Sequence, residues 1–400
     1  MRLAPLPVQS SSRRRFPLRN VRPGLFIRLL SLLAVIAAGL AIGIVFGMPG
    51  VSRDEPATAG REALPESDAP LIVYTEFAAD ADALWAADPD DPETRTQLAL
   101  VPHATNYGIV ASLSPDGTRV AYTILPPGTA APAPDAPAQL WVLDLATGDA
   151  LLLADGVDLP VAPVWSPDGE AVVVRRSAWS EDAGGEFALL RVALDGATST
   201  LVTSAAGLFP VDFSPDGSAL YFTSLSETGT DLGRVVIANG KAEQVEHLSD
   251  GFARDWQLSP DGTQLAYLAE AGGAGIAFEA RVLDLDGGAA EAAIARAPVE
   301  QFSPIWDPGG VLTVGRLGGD GAAARIAGGA ASSLPKAGAG FDVPLSWSPD
   351  GSHLALRAFE GASLSDPGIS HVVVMTQDGA RRQLSDVSDV TVLGWLEAAP

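Results

Sequence analysis

Short apolar runs of strand length alternate with clusters of Gly, Pro, Asp and Ser from residue 71 onward. Leu220-Tyr221-Phe222, Leu265-Ala266-Tyr267-Leu268 and Leu140-Trp141-Val142-Leu143 typify the runs. Aromatic and β-branched content bounded by turn residues predicts strands. The turns repeat. Ser114-Pro115-Asp116-Gly117 returns at residues 166–169, 214–217, 259–262 and 348–351, with a degenerate copy at Asp307-Pro308-Gly309-Gly310. Pro presets φ at the second turn position, Asp bonds nearby amides, and Gly accepts φ > 0. An apolar run leads into each copy and another leads out, so each marks a tight hairpin between strands A and B. A strand C follows, as in Arg281–Leu285 and Val372–Met375, ending in Thr147-Gly148, Asp195-Gly196, Asp286-Gly287 or Asp378-Gly379. A short strand D completes the unit. Four strands at this period make one propeller blade.

The pattern aromatic-Ser-Pro-Asp-Gly, then an apolar strand, then Leu140-Trp141-Val142-Leu143-Asp144-Leu145-x-Thr147-Gly148 resembles the TolB-like β-propeller repeat. That WD-like repeat also builds tricorn-type and dipeptidyl-peptidase-type propellers. The resemblance covers residues 71–397 and implies an all-β propeller. It implies little about activity, since such propellers scaffold unrelated tasks.

Six repeats begin with an A strand. Ahead of them Leu71–Thr75, Ala83–Ala86 and Thr96–Leu100 form a B, C, D set lacking A, and behind them Val390–Trp395 is an A strand lacking successors. Trp395 falls 48 residues after Trp347, in register with the repeat. The two remnants complete one blade. Seven blades are therefore favoured, six self-contained blades being the alternative, and closure removes exposed sheet edges.

Residues 1–28 carry seven Arg and no acid, and residues 29–48 are uncharged and apolar. Twenty such residues can span a bilayer, and the Arg excess places residues 1–28 in the cytoplasm. An uncleaved signal anchor is the favoured reading. The alternative is a cleaved export signal, with Ser12-Arg13-Arg14-Arg15-Phe16 as its twin-arginine motif and Ala57-Thr58-Ala59 as its cleavage site. Both put the propeller outside the cytoplasm. Residues 49–70, rich in Pro and acid, read as a linker, and 71–397 as one propeller domain.

Charge narrows the partners. Residues 51–400 hold all 49 acids against 18 basic residues, a net of −31. Such a surface repels phosphate backbones, so nucleic acid is disfavoured, while a protein, peptide or cell-envelope polymer is the expected partner. The absence of Cys excludes disulfides and thiolate sites. Asp88–Glu93 lacks the spacing of a calcium loop and reads as an acidic turn, with a structural calcium ion as the alternative. The four His show no zinc spacing, no cofactor is expected, and no Gly-x-Ser-x-Gly elbow or trailing hydrolase domain is apparent.

The five Ser-Pro-Asp-Gly copies are explained by the turn. Trp165, Phe213, Trp306, Trp347 and Trp395 share one repeat position and are expected to wedge between blades. Binding residues are expected on the opposite face, in B–C and D–A loops around the channel mouth. The candidates there are His103, Tyr107, Asp158, Trp179, Arg254, Asp255, Phe302 and Asp342. The leading reading is a non-catalytic, membrane-anchored binding or scaffold module. The alternative is a propeller-type hydrolase or lyase using mouth acids with a divalent cation.

Overall fold

The computed structural model describes residues 64–129, 137–180, 184–271, 278–294, 300–336 and 338–397. The basic tail, the span 29–48 and most of the linker lie outside the described residues. Among the described residues, no helix is long and apolar enough to cross a membrane.

Among the described residues, twenty-eight strands form seven four-stranded antiparallel sheets. Blade 1 takes its first strand from Val390–Leu396 and the rest from Leu71–Phe77, Ala81–Ala87 and Arg95–Pro102. Blades 2 to 7 begin with Val110–Leu113, Val164–Trp165, Gly207–Phe213, Ala253–Leu258, Gln301–Trp306 and Phe341–Trp347, and each runs outward through the next three strands. Every first strand touches that of the next blade, and the strand of blade 1 touches those of blades 7 and 2. The ring therefore closes with the first strands innermost. Seven blades is the count, one of them shared between both ends of the domain.

The turns are built as their chemistry dictates. In each full copy the Ser hydroxyl donates to Asp Oδ1 at 2.5–2.7 Å. The Ser Oγ also accepts the amide five residues on. Hydrogen bonds from Ser214 and from Ser218 hold the exposed Asp216 carboxyl down at about 2. Neighbouring turns also interlock. Gly262 has φ +70, and a Cβ there would lie 2.4 Å from the Pro215 ring of the preceding turn. The degenerate copy is still a turn, since Gly310 N–H donates to Asp307 O at 2.9 Å and Val311 N–H to Asp307 Oδ1 at 2.8 Å.

The wedge aromatics join one blade to the blade before it. Trp165 Nε1 donates to Ser112 O, Trp306 Nε1 to Gln257 O, Trp347 Nε1 to Thr313 Oγ1 and Trp395 Nε1 to Ser346 Oγ, all at 3.0–3.2 Å. Trp165, Phe213 and Trp395 are buried. Each apolar cluster draws on strands of two neighbouring blades, as where Ile72, Tyr74 and Trp395 pack with Ala355, Val372 and Val374.

At the closing seam Leu71 pairs with Leu396 and Ile72 with Trp395. Arg357 of blade 7 donates to the carbonyls of Ser388 and Val390, and Phe77 N–H donates to Asp389 O at 2.9 Å. Ser385 donates to Glu76. The acidic turn crosses the same seam through Asp90, which pairs with Arg382 at 3.2 Å.

Deleting residues 388–400 exposes the edge of Leu71–Phe77 and removes a buried Trp, a loss of about 3–5 kcal/mol before backbone bonds are counted. The truncated chain should aggregate or melt far below the full chain in calorimetry. An unchanged melt would mean the shared blade does not hold the ring.

Candidate functional site

Only some of the expected mouth residues meet. His103 is buried, with Nδ1 2.9 Å from Ala104 O, Nε2 3.1 Å from Asp82 Oδ1, and the Phe77 ring stacked on it at 5.7 Å. Both ring nitrogens face acceptors, so the imidazolium fits the site. Burial opposes that charge, yet Asp82, the Ala104 carbonyl and Asp80 together raise the pKa. Asp342 is buried and gripped by both Nη atoms of Arg381 at 2.7 and 3.0 Å. Asp158 pairs with Arg175 and accepts Ser177 N–H at 2.9 Å. Phe302 is buried in a stack with Phe341 at 5.4 Å, and Phe341 stacks on Phe359 at 4.7 Å. These side chains are occupied in joining strands and blades. Tyr107 is half-buried against the cluster shared by blades 2 and 3.

Several of these residues were expected in loops and lie on strands. Trp179 sits on Ala171–Ser180 opposite Gly185, because that hairpin pairs without a register shift almost to its tip. Glu181 and Asp182 beyond it lie outside the described residues. Arg254, Asp255, Phe302 and Asp342 lie on first strands, which begin earlier than the apolar pattern indicated.

What remains is a polar and aromatic arc on the first strands of blades 4 to 6. These strands are bulged at Pro210/Asp212, Arg254/Gln257 and Phe302/Ile305. A bulge adds an unpaired residue and re-aims side chains. Asp255 (φ +55) and Ser303 (φ +42) are left-handed at equivalent positions of adjacent blades. Arg254 Nη1 is 2.9 Å from Asp255 Oδ2, and its guanidinium lies 4.5 Å from the centre of the Phe278 ring. Trp256 packs against Phe209 at 5.9 Å, and Arg175 covers Phe209 at 4.7 Å. Among the described residues, the buried Trp256 Nε1 and Glu300 Oε1 have no hydrogen-bond partner.

Burial raises Asp255, opposed by Arg254 and the Ser303 amide, and likewise raises Glu300. Asp212 escaped sequence reasoning. Its side chain has accessible surface, but the surrounding protein pushes its carboxyl up to about 6, opposed only by its hydrogen bond from Phe213 N–H. One signal could have exposed it: the other blades carry Ser112, Val164, Gln257, Ile305, Ser346 and Gly394 at that repeat position, none of them charged. Among the described residues no group of three or more His, Cys, Asp or Glu is placed to hold a metal ion.

Seven blades closed into a ring by a strand from the far end of the domain define a β-propeller. The TolB beta propeller domain matches residues 84–314, and the chain belongs to that family. No curated protein matches it. Among solved structures it is similar to TolB from Acinetobacter baumannii (18% identity, 82% of this chain, 66% of that chain, TM-score 0.48). It is also similar to a prolyl endopeptidase (14%, 82% and 50%, TM-score 0.59) and to a putative 6-phosphogluconolactonase from Bacteroides uniformis (14%, 83% and 99%, TM-score 0.52). The chain thus spans about half of that prolyl endopeptidase. Identities this low speak for the fold alone.

Two titrations test the electrostatics. The raised His103 contributes stability that is full below about pH 6.5 and lost as pH rises through its folded pKa. His103→Gln should therefore destabilise most in acid, the difference from the parent shrinking as pH rises in urea melts. Asp212 works the other way. An unfolded Asp releases its proton near pH 4 and the folded one near 6, so stability falls as pH rises between them. Asp212→Asn should be more stable than the parent above pH 6 and level with it near pH 3, and carboxyl NMR of the parent should show the midpoint near 6.

Proposed function

We propose that the chain is a non-catalytic, extracytoplasmic binding module, held to the membrane by residues 29–48, whose partner is a protein, peptide or cell-envelope polymer. The observation that carries this reading is the bulged arc of blades 4 to 6. It gathers Arg254, Asp255, Trp256 and Phe209 on the first strands of two adjacent blades of the ring. An apolar run of twenty residues after an Arg-rich segment supports the anchor.

A second reading keeps catalysis open. An Asp titrating near 6 suits general acid–base work, and a prolyl endopeptidase shares the fold. Against it, no second carboxylate contributes to the Asp212 shift, as it would in a paired acid and base. The acids of the arc belong to three separate blades, Asp212 and Asp255 on first strands and Glu300 just ahead of one.

A photoreactive residue at position 254 or 256 of the full chain should cross-link one partner in native membranes, whereas one at position 199 on the outer rim should not. Peptide and glycoside reporters should not be turned over. Turnover abolished by Asp212→Asn would replace this reading with the enzymatic one. The anchor is tested separately. Mature protein should resist carbonate extraction and begin near Met1, and a start at Gly60 would make it a released protein.

A further inference from the structure

The repeat that departs from the consensus turn stands beside a groove. Between blades 6 and 7 lies a cavity of about 200 Å³ walled by Trp347, Met375, Leu334 and Pro335, with Arg325 and Thr376 on its lining. The space follows from the sequence of blade 6. Its outer strands, Ala324–Ala327 and Ala330–Ser333, have four residues each and are mostly Ala and Ser, so little side chain reaches toward blade 7.

The turn itself has changed role. In the full copies the Ser–Asp pair closes on itself. In blade 6 a single Asp307 replaces that pair, with Oδ1 taking Val311 N–H and Oδ2 taking Arg325. The departure from the consensus thus supplies the group that holds the arginine. Arg325 then lies 5.4 Å from the centre of the Trp347 ring, whose Nε1 is fixed on Thr313 Oγ1 at 3.1 Å. Asp307 is 8% exposed whereas the Arg325 side chain is 42% exposed. A guanidinium carries five N–H donors. Only Nη2 is engaged, so Nη1 and Nε remain for a ligand among the described residues. Arg381 braces the same wall, with Nη2 on Pro335 O at 2.6 Å while its charge is paired with Asp342.

We propose that this groove binds a small organic carboxylate with a flat apolar body, its oxygens on the free edge of Arg325 and its body between Trp347 and Met375. The planar fork of Arg matches a carboxylate, a flat body suits the indole face, and Met adapts to its outline. A phosphate is the poorer fit, because its second charge would face Asp307 and the strongly acidic surface of residues 51–400, net −31. The proposal stands whether or not the arc of blades 4 to 6 binds a partner.

The test titrates full-length protein with 3-phenylpropionate and with 3-phenylpropionamide, read by calorimetry and by Trp fluorescence. The acid should bind saturably and the amide roughly tenfold more weakly, as expected when a charge-assisted fork is lost. Arg325→Gln should weaken the acid roughly tenfold and leave the amide unchanged. Leu334→Phe keeps the Arg325–Asp307 pair and fills the groove, so it should weaken both probes together, which separates loss of the site from loss of fold. Equal affinity for acid and amide, full binding by Arg325→Gln, or no saturation by the parent at tens of millimolar would overturn the proposal.

Discussion

Every blade depends on its neighbour for the wedge between them. A four-stranded sheet has two faces to bury, and here the faces meet those of adjacent sheets rather than a common centre. The indoles at the end of the first strands fill the gap and also bond backward, from Trp165 to Ser112 O and from Trp306 to Gln257 O. A Trp buried with its N–H satisfied gives apolar area and direction together. Because the contacts run cyclically, the last wedge, Trp395, must come from the other end of the domain. The architecture has no terminal blade that could be left uncovered.

That dependence sorts the charged groups into two populations. Most are paired within or between blades: Arg381 on Asp342, Arg175 on Asp158, His103 on Asp82. Arg175 and Arg357 occupy the repeat position filled by Thr75, Thr123 and Thr223 in three other blades, and each reaches a carbonyl on the first strand of the next blade. Within the arc of blades 4 to 6 the exposed Asp212 takes the Phe213 amide, and among the described residues the buried Trp256 Nε1 is unmet. Buried polar groups in folded proteins are usually paired, so unmet ones are informative.

How much of this could be read from the residues depended on how local the cause was. The turns, the hairpins and the shared blade were legible because Ser114, Pro115, Asp116 and Gly117 act on one another within a few residues. The wedge role of Trp165 and Trp395 was legible from register alone. The mouth was not. His103 and Asp342 carry the residue types of a site, but partners 21 and 39 positions away absorb them. Asp212 looks unremarkable before Phe213 until seven blades are laid side by side. Bulges that place Asp255 and Ser303 in the left-handed region leave no mark in apolar periodicity, which reports burial rather than backbone irregularity.

The pairing of Leu71 with Leu396 puts the entry and exit of the propeller side by side on antiparallel neighbours. Tension drawn between those two points would load the outermost pair first and peel the strands apart one rung at a time. Tension on Leu71 alone would spread through the whole of blade 1. The same closure is therefore mechanically weak to a pull on both ends and strong to a pull on one, so a ring tethered on one side only never meets the force that opens it.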